Sequence, residues 1–334
     1  MTRILVTGSA GRLGRTVVAE LRHRGHDVHG VDRVVAQADG PALAAAAPTD
    51  LGASLDSTLG SDRAADLTDL AVAQRVIADI RPEAVIHLAA IAVPFSAPEQ
   101  VILQTNAALA YNVSRASVDA GVRKIVIASS PTVFGYGAPA GWTPERLPLD
   151  ETMHPRPWNA YALSKLLAEQ VAQMFVAELG DAVRFAAFRP CYVIAPEEWR
   201  GALTQQGHTV AERLARPELS APAIFNYVDA RDAAAFLDRL IEALDDIPNA
   251  QTFIVGAADA LAREPLSELI PQYIPDAAAA ATALTGTQPA FSIAKAQRML
   301  GWNPRYSWRT ELAAEPGTEP ASVDAHESAS TPTA

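Results

Sequence analysis

Tyr161 and Lys165 lie four positions apart in a stretch whose pattern predicts a helix, so both side chains would face the same way. A nearby ammonium lowers the pKa of a phenol, and Tyr161 could then act as general acid or base on a hydroxyl or carbonyl group. Ser129 and Ser130 end a predicted strand, where Ser130 could donate to the same substrate oxygen. The alternatives are a core tyrosine beside a solvated lysine, and serines that simply end a strand before Pro131.

A glycine-rich turn, Thr7-Gly8-Ser9-Ala10-Gly11-Arg12-Leu13-Gly14, joins the first predicted strand to the first predicted helix. Gly8 permits a tight turn, Gly11 lets the backbone approach a pyrophosphate, and Gly14 lets helix and strand pack closely. The start of the helix offers free N–H groups and a positive dipole end to that anion. The pattern predicts a dinucleotide site; the alternative is an ordinary turn with a packing glycine.

The adenosine end of this site is predicted at Asp32, which ends the second predicted strand. Its carboxylate would accept hydrogen bonds from the ribose hydroxyls and repel a 2′-phosphate, so NAD is favoured over NADP. Arg12 and Arg33 could pair with such a phosphate, which keeps NADP as the alternative. Further along, Asp66 could touch the adenine edge, or Asp69 or Thr68 could simply be the N-cap of the following helix.

Short β-branched runs alternate with longer amphipathic patterns in the first half of the chain. The predicted strands cover Ile4–Thr7, Val28–Asp32, Ala84–Leu88, Lys124–Ser129 and Val183–Phe188. The predicted helices cover Gly11–Arg24, Leu70–Ile80, Glu99–Ala120 and Ala160–Leu179. Apolar strands between amphipathic helices indicate a parallel sheet covered on both faces, and right-handed crossovers favour an α/β, doubly wound Rossmann sheet.

Changes in this rhythm divide the chain into three predicted regions. Residues 1–190 form a dinucleotide-binding Rossmann domain, residues 191–312 a smaller substrate-binding lobe, and residues 313–334 a disordered acidic tail. Residues 33–63 show no clean period and are predicted as an insertion after the second strand.

Composition narrows the class of protein. A formal charge of −11 over 334 residues argues against nucleic acid as the main partner, because phosphate binding leaves a basic footprint. A single cysteine, Cys191, excludes an intramolecular disulfide framework and a Cys-rich zinc site. No apolar run reaches the roughly 20 residues of a membrane span, and no export signal precedes the first strand pattern. We expect a cytoplasmic protein that binds a small molecule and no metal.

Over residues 3 to 312 the chain resembles the short-chain dehydrogenase/reductase superfamily, in its extended, NAD-dependent epimerase/dehydratase branch. The motifs that carry the resemblance are Thr7-Gly8-x-x-Gly11-x-x-Gly14, Asp66-Leu67, His87-Leu88-Ala89-Ala90, Asn106, Ser129-Ser130-x-x-Val133-Phe134-Gly135, Tyr161-x-x-x-Lys165, Arg189-Pro190, Tyr227-Val228-Asp229 and Leu300-Gly301-Trp302-x-Pro304. Phe134 stands where the family pattern has Tyr.

The resemblance implies specific roles for these motifs. Tyr161 would be the acid/base, Lys165 would hold the nicotinamide ribose, and Ser130, with Thr132 beside it, would polarise the substrate oxygen. The implied cofactor residues are Gly8, Ala10, Gly11, Arg12, Leu13, Gly14, Asp32, Arg33, Asp66, Leu67, Leu88, Ala89, Ala90, Asn106, Tyr161 and Lys165. A homodimer through the Glu99–Ala120 and Ala160–Leu179 helices is also implied.

Departures from the family pattern disfavour two of the reactions known in the family, dehydration and decarboxylation. Dehydratases resembling this chain have an Asp-Glu pair where it has Pro131 and Thr132, and related decarboxylases have Glu at the second of these positions. Tyr192 replaces an Asn near the substrate diphosphate and is a predicted substrate-binding residue. Residues 223–226 lack the Arg that pairs with that diphosphate, although Arg200, Arg213 and Arg216 could substitute or could simply be solvated.

The leading hypothesis is therefore an NAD-dependent oxidoreductase that transfers a hydride between the nicotinamide and a secondary alcohol or ketone of a sugar-like substrate. The alternative is an NAD-dependent sugar-nucleotide epimerase that interconverts UDP-sugars. A dinucleotide-binding regulator without catalysis is a third class. The segment Phe134–Trp158 is expected to form part of the substrate pocket or a rigid connector, with His154 as a possible extra acid/base.

Overall fold

The computed structural model describes residues 1–34 and 63–313. Apart from their end residues, the predicted insertion (33–63) and the predicted tail (313–334) lie outside the described residues. The strands are β1 (Arg3–Thr7), β2 (Asp27–Asp32), β3 (Arg63–Ala64), β4 (Ala84–His87), β5 (Lys124–Ala128), β6 (Arg184–Pro190), β7 (Val193–Ile194), β8 (Val228–Asp229) and β9 (Gln251–Val255). The helices are α1 (Arg12–His23), α2 (Leu70–Ile80), α3 (Glu99–Asp119), α4 (Ala160–Leu179), α5 (Pro196–Trp199), α6 (Val210–Ala215), α7 (Ala230–Ala243), α8 (Leu266–Tyr273), α9 (Ala278–Ala281), α10 (Ala294–Leu300) and α11 (Trp308–Glu311).

Seven parallel strands form the main sheet in the order β3-β2-β1-β4-β5-β6-β9, which confirms the predicted α/β doubly wound sheet. The strand order reverses between β1 and β4, whose last residues Thr7 and His87 are register partners. At such a switch point the chain leaves neighbouring strands toward opposite faces of the sheet, and a crevice opens beyond their carboxyl ends. The topology therefore places a ligand crevice beyond the carboxyl end of β1, next to Thr7.

The two faces of the sheet follow from the alternation of side chains along each strand. Ile4 and Val6 of β1 pack with apolar residues of α1 and α7, whereas Leu5 packs with those of α2, α3 and α4. All three β1 side chains are fully buried. Within residues 1–34 and 63–313, no helix is long and apolar enough to cross a membrane.

Residues beyond 190 contribute both to the sheet and to the region over its carboxyl edge. Strand β9 pairs with β6 and extends the main sheet, and α7 covers one face of it. Strands β7 and β8 form a separate parallel pair. Ile194 of β7 packs with residues of α5, α6 and α11 in a small apolar cluster that includes Trp199, Trp308 and Tyr227, the residue before β8. The domain division at residue 190 stays a prediction. Two elements beyond residue 190, β9 and α7, belong to the main sheet and to its covering helices.

Candidate active site

The glycine-rich turn brings two backbone segments closer than any side chain would allow. Gly8 has a φ of +74°, and a Cβ built on it would lie 2.7 Å from the amide nitrogen of Ala89. A Cβ on Gly14 would overlap the carbonyl oxygen of Gly8. The Gly8 amide donates to the carbonyl of Val31 at 2.8 Å, which joins the turn to β2. The turn thus forms a close-packed backbone cradle at the start of α1, as a pyrophosphate site requires.

Asp32 stands at the end of β2 beside this cradle. Its carboxylate accepts hydrogen bonds from the backbone amide of Ala10 at 3.1 Å and from that of Arg33 at 2.6 Å. These contacts fix the carboxylate at the wall of a cavity of about 750 Å³, which the glycines of the turn also line. Both Asp32 and Arg33 line this cavity. The contact of Asp32 with a ribose stays a prediction. Ala10 supports Asp32 and does not line the cavity.

The two acidic residues that follow β3, Asp66 and Asp69, accept hydrogen bonds from different neighbouring groups. Asp69 caps α2, accepting from the amides of Ala71 at 2.8 Å and Val72 at 3.2 Å. Asp66 is exposed and accepts from the amide of Thr68 at 3.0 Å and from its hydroxyl at 2.7 Å. Leu67 and Thr68 line the cavity, but Asp66 does not. The N-cap interpretation therefore holds for Asp69, and Asp66 closes the turn that presents Leu67.

Arg12 lines the cavity, but its side chain forms an ion pair with a glutamate outside the main sheet. Its guanidinium forms an ion pair with the buried carboxylate of Glu198 on α5. A second pair, Arg15–Glu197 at 2.9 Å, links the same two helices. Burial lowers the pKa of Arg12. Because Arg12 points to α5, it is not free to pair with a 2′-phosphate near Asp32, which favours NAD over NADP.

Asp32→Ala is expected to shift the ratio of NADP to NAD affinity toward NADP by roughly 10- to 100-fold, because it removes a charge-assisted hydrogen bond to the ribose and the repulsion of a 2′-phosphate. Titration with each dinucleotide, followed by tryptophan fluorescence, measures the ratio. Asp66→Ala is the matched control and should leave the ratio unchanged. An unchanged ratio in Asp32→Ala would show that the carboxylate does not face the adenosine ribose.

Tyr161 and Lys165 occupy the first two turns of α4, which begins at its N-cap Asn159. The Asn159 side-chain oxygen accepts from the amide of Ala162 at 2.8 Å. The Lys165 ammonium donates to the carbonyl of Ala128 at 3.0 Å and lies 5.8 Å from the centre of the Tyr161 ring. Both side chains line the cavity, together with Ser130 and Thr132 from the turn after β5. The sequence-predicted catalytic set is thus assembled at one wall.

The electrostatics of this set differ from the prediction in one respect. Burial raises the pKa of Tyr161 to about 12, although a hydrogen bond with Ser130 acts in the opposite direction. Burial also lowers the pKa of Lys165 to about 8. The expected lowering of the tyrosine pKa by Lys165 was wrong for this state, because the loss of hydration of the buried phenol outweighs the effect of an ammonium bound to Ala128. The phenol is protonated at neutral pH.

Beneath the catalytic wall lies a buried ion pair between Glu169 of α4 and Arg189 of β6. Two bonds of 2.8 Å join the guanidinium to the two carboxylate oxygens. The hydroxyl of Ser129 donates to Glu169 at 2.5 Å, so Ser129 supports α4, and both Ser129 and its neighbour Ser130 line the cavity. Arg189 also lies 4.7 Å over the Phe134 ring. The pair fixes α4 against the ends of β5 and β6.

Asn106 of α3 holds the loop after β4. Its side chain accepts from the amide of Ile91 at 2.8 Å and donates to the carbonyl of the same residue at 3.1 Å. It also donates to the Ser164 hydroxyl at 3.0 Å. Asn106 is therefore placed as a positioning residue behind the wall rather than on it. The other predicted residues of this region, Leu88, Ala89 and Ala90, line the cavity directly.

One cavity of about 750 Å³ connects these groups with a region that sequence patterns did not mark. From the segment Phe134–Trp158 it is lined by Tyr136, Gly137 and Trp158, whereas Trp142 is buried in the core and His154 is exposed outside it. Tyr192 lines the cavity, as predicted. The lining residues that sequence reasoning missed include Val93, Pro94, Phe95, Gln205, Gln206, Pro222, Ala223 and Asn226. They come from separate loops without a motif. The ring of Phe95 lies 5.7 Å from that of Trp158, and the Asn226 side chain donates to the carbonyl of Ala223 and accepts from the amide of Tyr192 at 2.7 Å. In the described part of the chain, no group of three or more His, Cys, Asp or Glu side chains could hold a metal ion.

Fold and site together define a Rossmann protein of the extended short-chain dehydrogenase/reductase type. The chain matches the NAD dependent epimerase/dehydratase family over residues 4–256 and belongs to that family, whose description agrees with NAD as the predicted cofactor.

Individual relatives are similar over different extents. A UDP-glucose 4-epimerase from Azospirillum brasilense is 33% identical over 171 residues, which cover 51% of this chain and 43% of that protein. The chain thus spans about half the length of the curated relatives it matches. Among solved structures, a UDP-glucose-4-epimerase from Stenotrophomonas maltophila with bound NAD and formylated UDP-arabinopyranose has a TM-score of 0.66 at 20% identity, covering 94% of this chain and 96% of that one. A mutated uronate dehydrogenase has a TM-score of 0.60 at 22% identity, covering 95% of this chain and 88% of that one. At these identities the two structures support the fold alone.

Proposed function

We propose that this protein is an NAD-dependent epimerase of the UDP-glucose 4-epimerase type, which oxidises and re-reduces a hydroxyl-bearing carbon of a sugar nucleotide. The observation that carries the proposal is the placement of Ser130, Tyr161 and Lys165 on the wall of the cavity that also contains the glycine cradle. Neighbouring Pro131 and Thr132 cannot transfer the proton that elimination needs, which disfavours a dehydratase. The curated relatives, which are UDP-glucose 4-epimerases, support this choice.

The residues present fit NAD at one end and a sugar hydroxyl at the other. The cradle at Gly8 and Gly14, which a Cβ would fill, suits a pyrophosphate, and the Asp32 carboxylate suits the adenosine ribose. NAD, when bound, supplies a hydride acceptor and then a hydride donor. Ser130 and Tyr161 lie where both hydroxyls can bind one substrate oxygen.

Proton transfer would then be the task of Tyr161. In the oxidising half-reaction Tyr161 must first lose its own proton to solvent; the phenolate oxygen then accepts the proton of the sugar hydroxyl while the carbon loses a hydride, which leaves a ketone. The sugar turns, the carbon regains a hydride on its other face, and Tyr161 returns the proton to the oxygen. Because burial raises the pKa of Tyr161 to about 12, the Lys165 ammonium must favour the anionic form during the first half.

A second candidate is a dehydrogenase that acts on a smaller sugar or sugar acid and releases NADH. The observation that favours it is the substrate end of the cavity, where Pro222, Ala223 and Asn226 line the wall before β8 and Tyr192 stands after β6. None of these four side chains is cationic. A nucleotide diphosphate would therefore meet fewer charges there than the resemblance implies.

One experiment separates the two candidates. Purified protein is incubated with UDP-glucose or UDP-galactose and the sugar nucleotides are resolved by chromatography, while a parallel panel of hexoses and hexuronates is followed at the NADH absorbance with NAD and with NADP. Interconversion of the UDP-sugars without net NADH supports the epimerase. Production of free NADH from a sugar or sugar acid supports the dehydrogenase. If neither signal is seen, both candidate functions are contradicted.

We further propose that α3 and α4 pair with the same helices of a second copy. Both helices expose large apolar side chains, namely Val101, Tyr111, Leu163, Leu167 and Met174. Exposed apolar residues that recur along one face mark an association surface. Association of two such faces would bury these side chains.

Leu167→Glu is expected to convert such a dimer into a monomer, because it places a charge in the apolar contact. Size-exclusion chromatography with light scattering gives the mass. Leu203→Glu, at a side chain that is 62% exposed and lies outside both helices, is the matched control and should not change the mass. A wild-type monomer, or a dimer that survives Leu167→Glu, would contradict the proposed surface.

A further inference from the structure

A buried arginine that has no acidic partner among the described residues lies directly behind the substrate end of the cavity. Arg213, on α6, is 1% exposed, and its guanidinium carbon lies 4.4 Å from the centre of the Tyr192 ring. One of its terminal nitrogens donates to the side-chain oxygen of Gln206 at 2.5 Å. Tyr192 and Gln206 both line the cavity, so the guanidinium is separated from it by the thickness of one side chain.

The hydrogen bonding of this arginine is incomplete. Within residues 1–34 and 63–313 no carboxylate forms an ion pair with Arg213, and its buried Nε has no hydrogen-bond partner. The buried hydroxyl of Tyr192 is also without a partner. By contrast, the buried Arg189 has Glu169, and Arg231 has Asp229 and Glu311. Burial of an unpaired charge is costly, and it lowers the pKa of Arg213.

The other cations of the cavity either have a partner or lie at its adenosine end. The basic residues that line it within the described part of the chain are Arg12, Arg33 and Lys165. Arg12 is bound by Glu198, Lys165 donates to the Ala128 carbonyl, and Arg33 follows Asp32 at the adenosine end. Arg12 also interacts with Tyr192 but is paired with Glu198, so among the described residues Arg213 is the cation beside Tyr192 that no carboxylate neutralises.

We propose that Arg213, with Tyr192, binds an anionic group of the substrate that displaces the Gln206 side-chain oxygen. This inference rests on the proposed function and narrows its substrate class to sugars that carry a carboxylate or a phosphate. The Gln206 side-chain oxygen occupies an acceptor position on the guanidinium, and an anionic oxygen that replaces it gains the stronger, charge-assisted bond. The Tyr192 hydroxyl can donate to the same anion. One guanidinium recognises one such group, whether it belongs to a sugar acid or to the diphosphate of a nucleotide sugar.

The test uses the NAD-loaded protein and calorimetric titration with three probes: glucuronate, UDP and uncharged glucose. We expect at least one of the two anions to bind, and Arg213→Met to weaken that anion roughly 30- to 100-fold, which corresponds to the typical 2–3 kcal/mol of a charge-assisted bond. Which anion responds identifies the carboxylate or the phosphate as the source. Arg216→Met is the matched control, because Arg216 is 58% exposed and pairs with Glu218, and it should leave the anion affinity unchanged.

A purely structural role for Arg213 would give different results. It would lower the melting temperature and weaken NAD, whereas an anion-binding role leaves the NAD affinity unchanged. Gln206→Ala keeps the guanidinium and removes its competing acceptor, so it should bind the anion several-fold more tightly without disturbing the buried position. Equal anion affinity in wild type, Arg213→Met and Gln206→Ala would overturn the proposal, as would the failure of both anions to bind.

The outcome for the anion site is separable from the outcome for the proposed function. Arg213-dependent binding of an anion by a protein that turns over neither UDP-sugars nor sugar acids would support the site and contradict the function. Turnover that Arg213→Met leaves with the wild-type KM would support the function and overturn the site. When both hold, KM for the anionic substrate should rise in Arg213→Met while kcat changes little.

Discussion

Tyr161→Phe should reduce turnover by roughly 10²- to 10⁴-fold, which is the usual contribution of a positioned general acid or base. The substitution removes one oxygen from a side chain that is 8% exposed and leaves the ring in place, so the packing of α4 against β5 is preserved. The Lys165 ammonium keeps its bond to Ala128. Affinity for NAD should therefore stay within a few-fold of wild type, and the loss should lie in kcat.

The measurement is kcat on the substrate identified by the panel, together with NAD affinity by fluorescence. Tyr273→Phe is the matched control, because Tyr273 is 38% exposed and does not line the cavity, and it should retain full turnover. Loss of turnover with NAD binding retained would exclude a dinucleotide-binding regulator without catalysis. Unchanged turnover in Tyr161→Phe would remove this tyrosine from the mechanism.

Gly14→Ala should weaken NAD by roughly 100-fold or more and lower the stability by about 1–3 kcal/mol, the range typical of overpacking. The added methyl group would overlap the carbonyl oxygen of Gly8 and lie 2.9 Å from the Cα of Ser9. Backbone atoms cannot move aside as the end of a flexible side chain can. Helix α1 must therefore shift away from the turn, and its amide groups leave the position that a pyrophosphate requires.

Titration with NAD and thermal unfolding measure the two effects. Gly25→Ala, just beyond the other end of α1, is the matched control: its φ of +86° makes the change costly in stability, but nothing lies within 4 Å of the added Cβ. It should lower stability and leave NAD affinity unchanged. If Gly14→Ala bound NAD as tightly as Gly25→Ala, the cradle would not be the pyrophosphate site.

The fold could be predicted because its determinants are local. Alternation along β1 already assigns Ile4 and Val6 to one face and Leu5 to the other, and the structure packs them against different helices. The glycine turn could be recognised because glycines at these spacings have few other uses directly after a strand. The tyrosine–lysine pair was equally accessible, since a four-residue spacing needs only the helix to be translated into a shared face.

The burial of charged groups and the identity of their partners could not be predicted from local sequence patterns. The sequence predicted that Lys165 lowers the pKa of Tyr161, but the structure buries both groups and raises it. Arg12 remained a candidate for a 2′-phosphate until the fold brought Glu198 to it from 186 positions away in the chain. Arg200, Arg213 and Arg216 were equivalent by type and region, yet only Arg213 of the three is buried. No local pattern distinguishes them.

By itself, the sequence determined the sheet, the glycine turn and the tyrosine–lysine pair proposed for proton transfer, because each depends on residues within a few positions of one another. Only the tertiary structure decided the substrate end of the cavity. That wall is assembled from loops around residues 94, 158, 192, 206 and 226, whose side chains meet only after the strands have placed their carboxyl ends at one edge. Since their spacing along the chain carries no period, the contacts that select a substrate follow from packing alone.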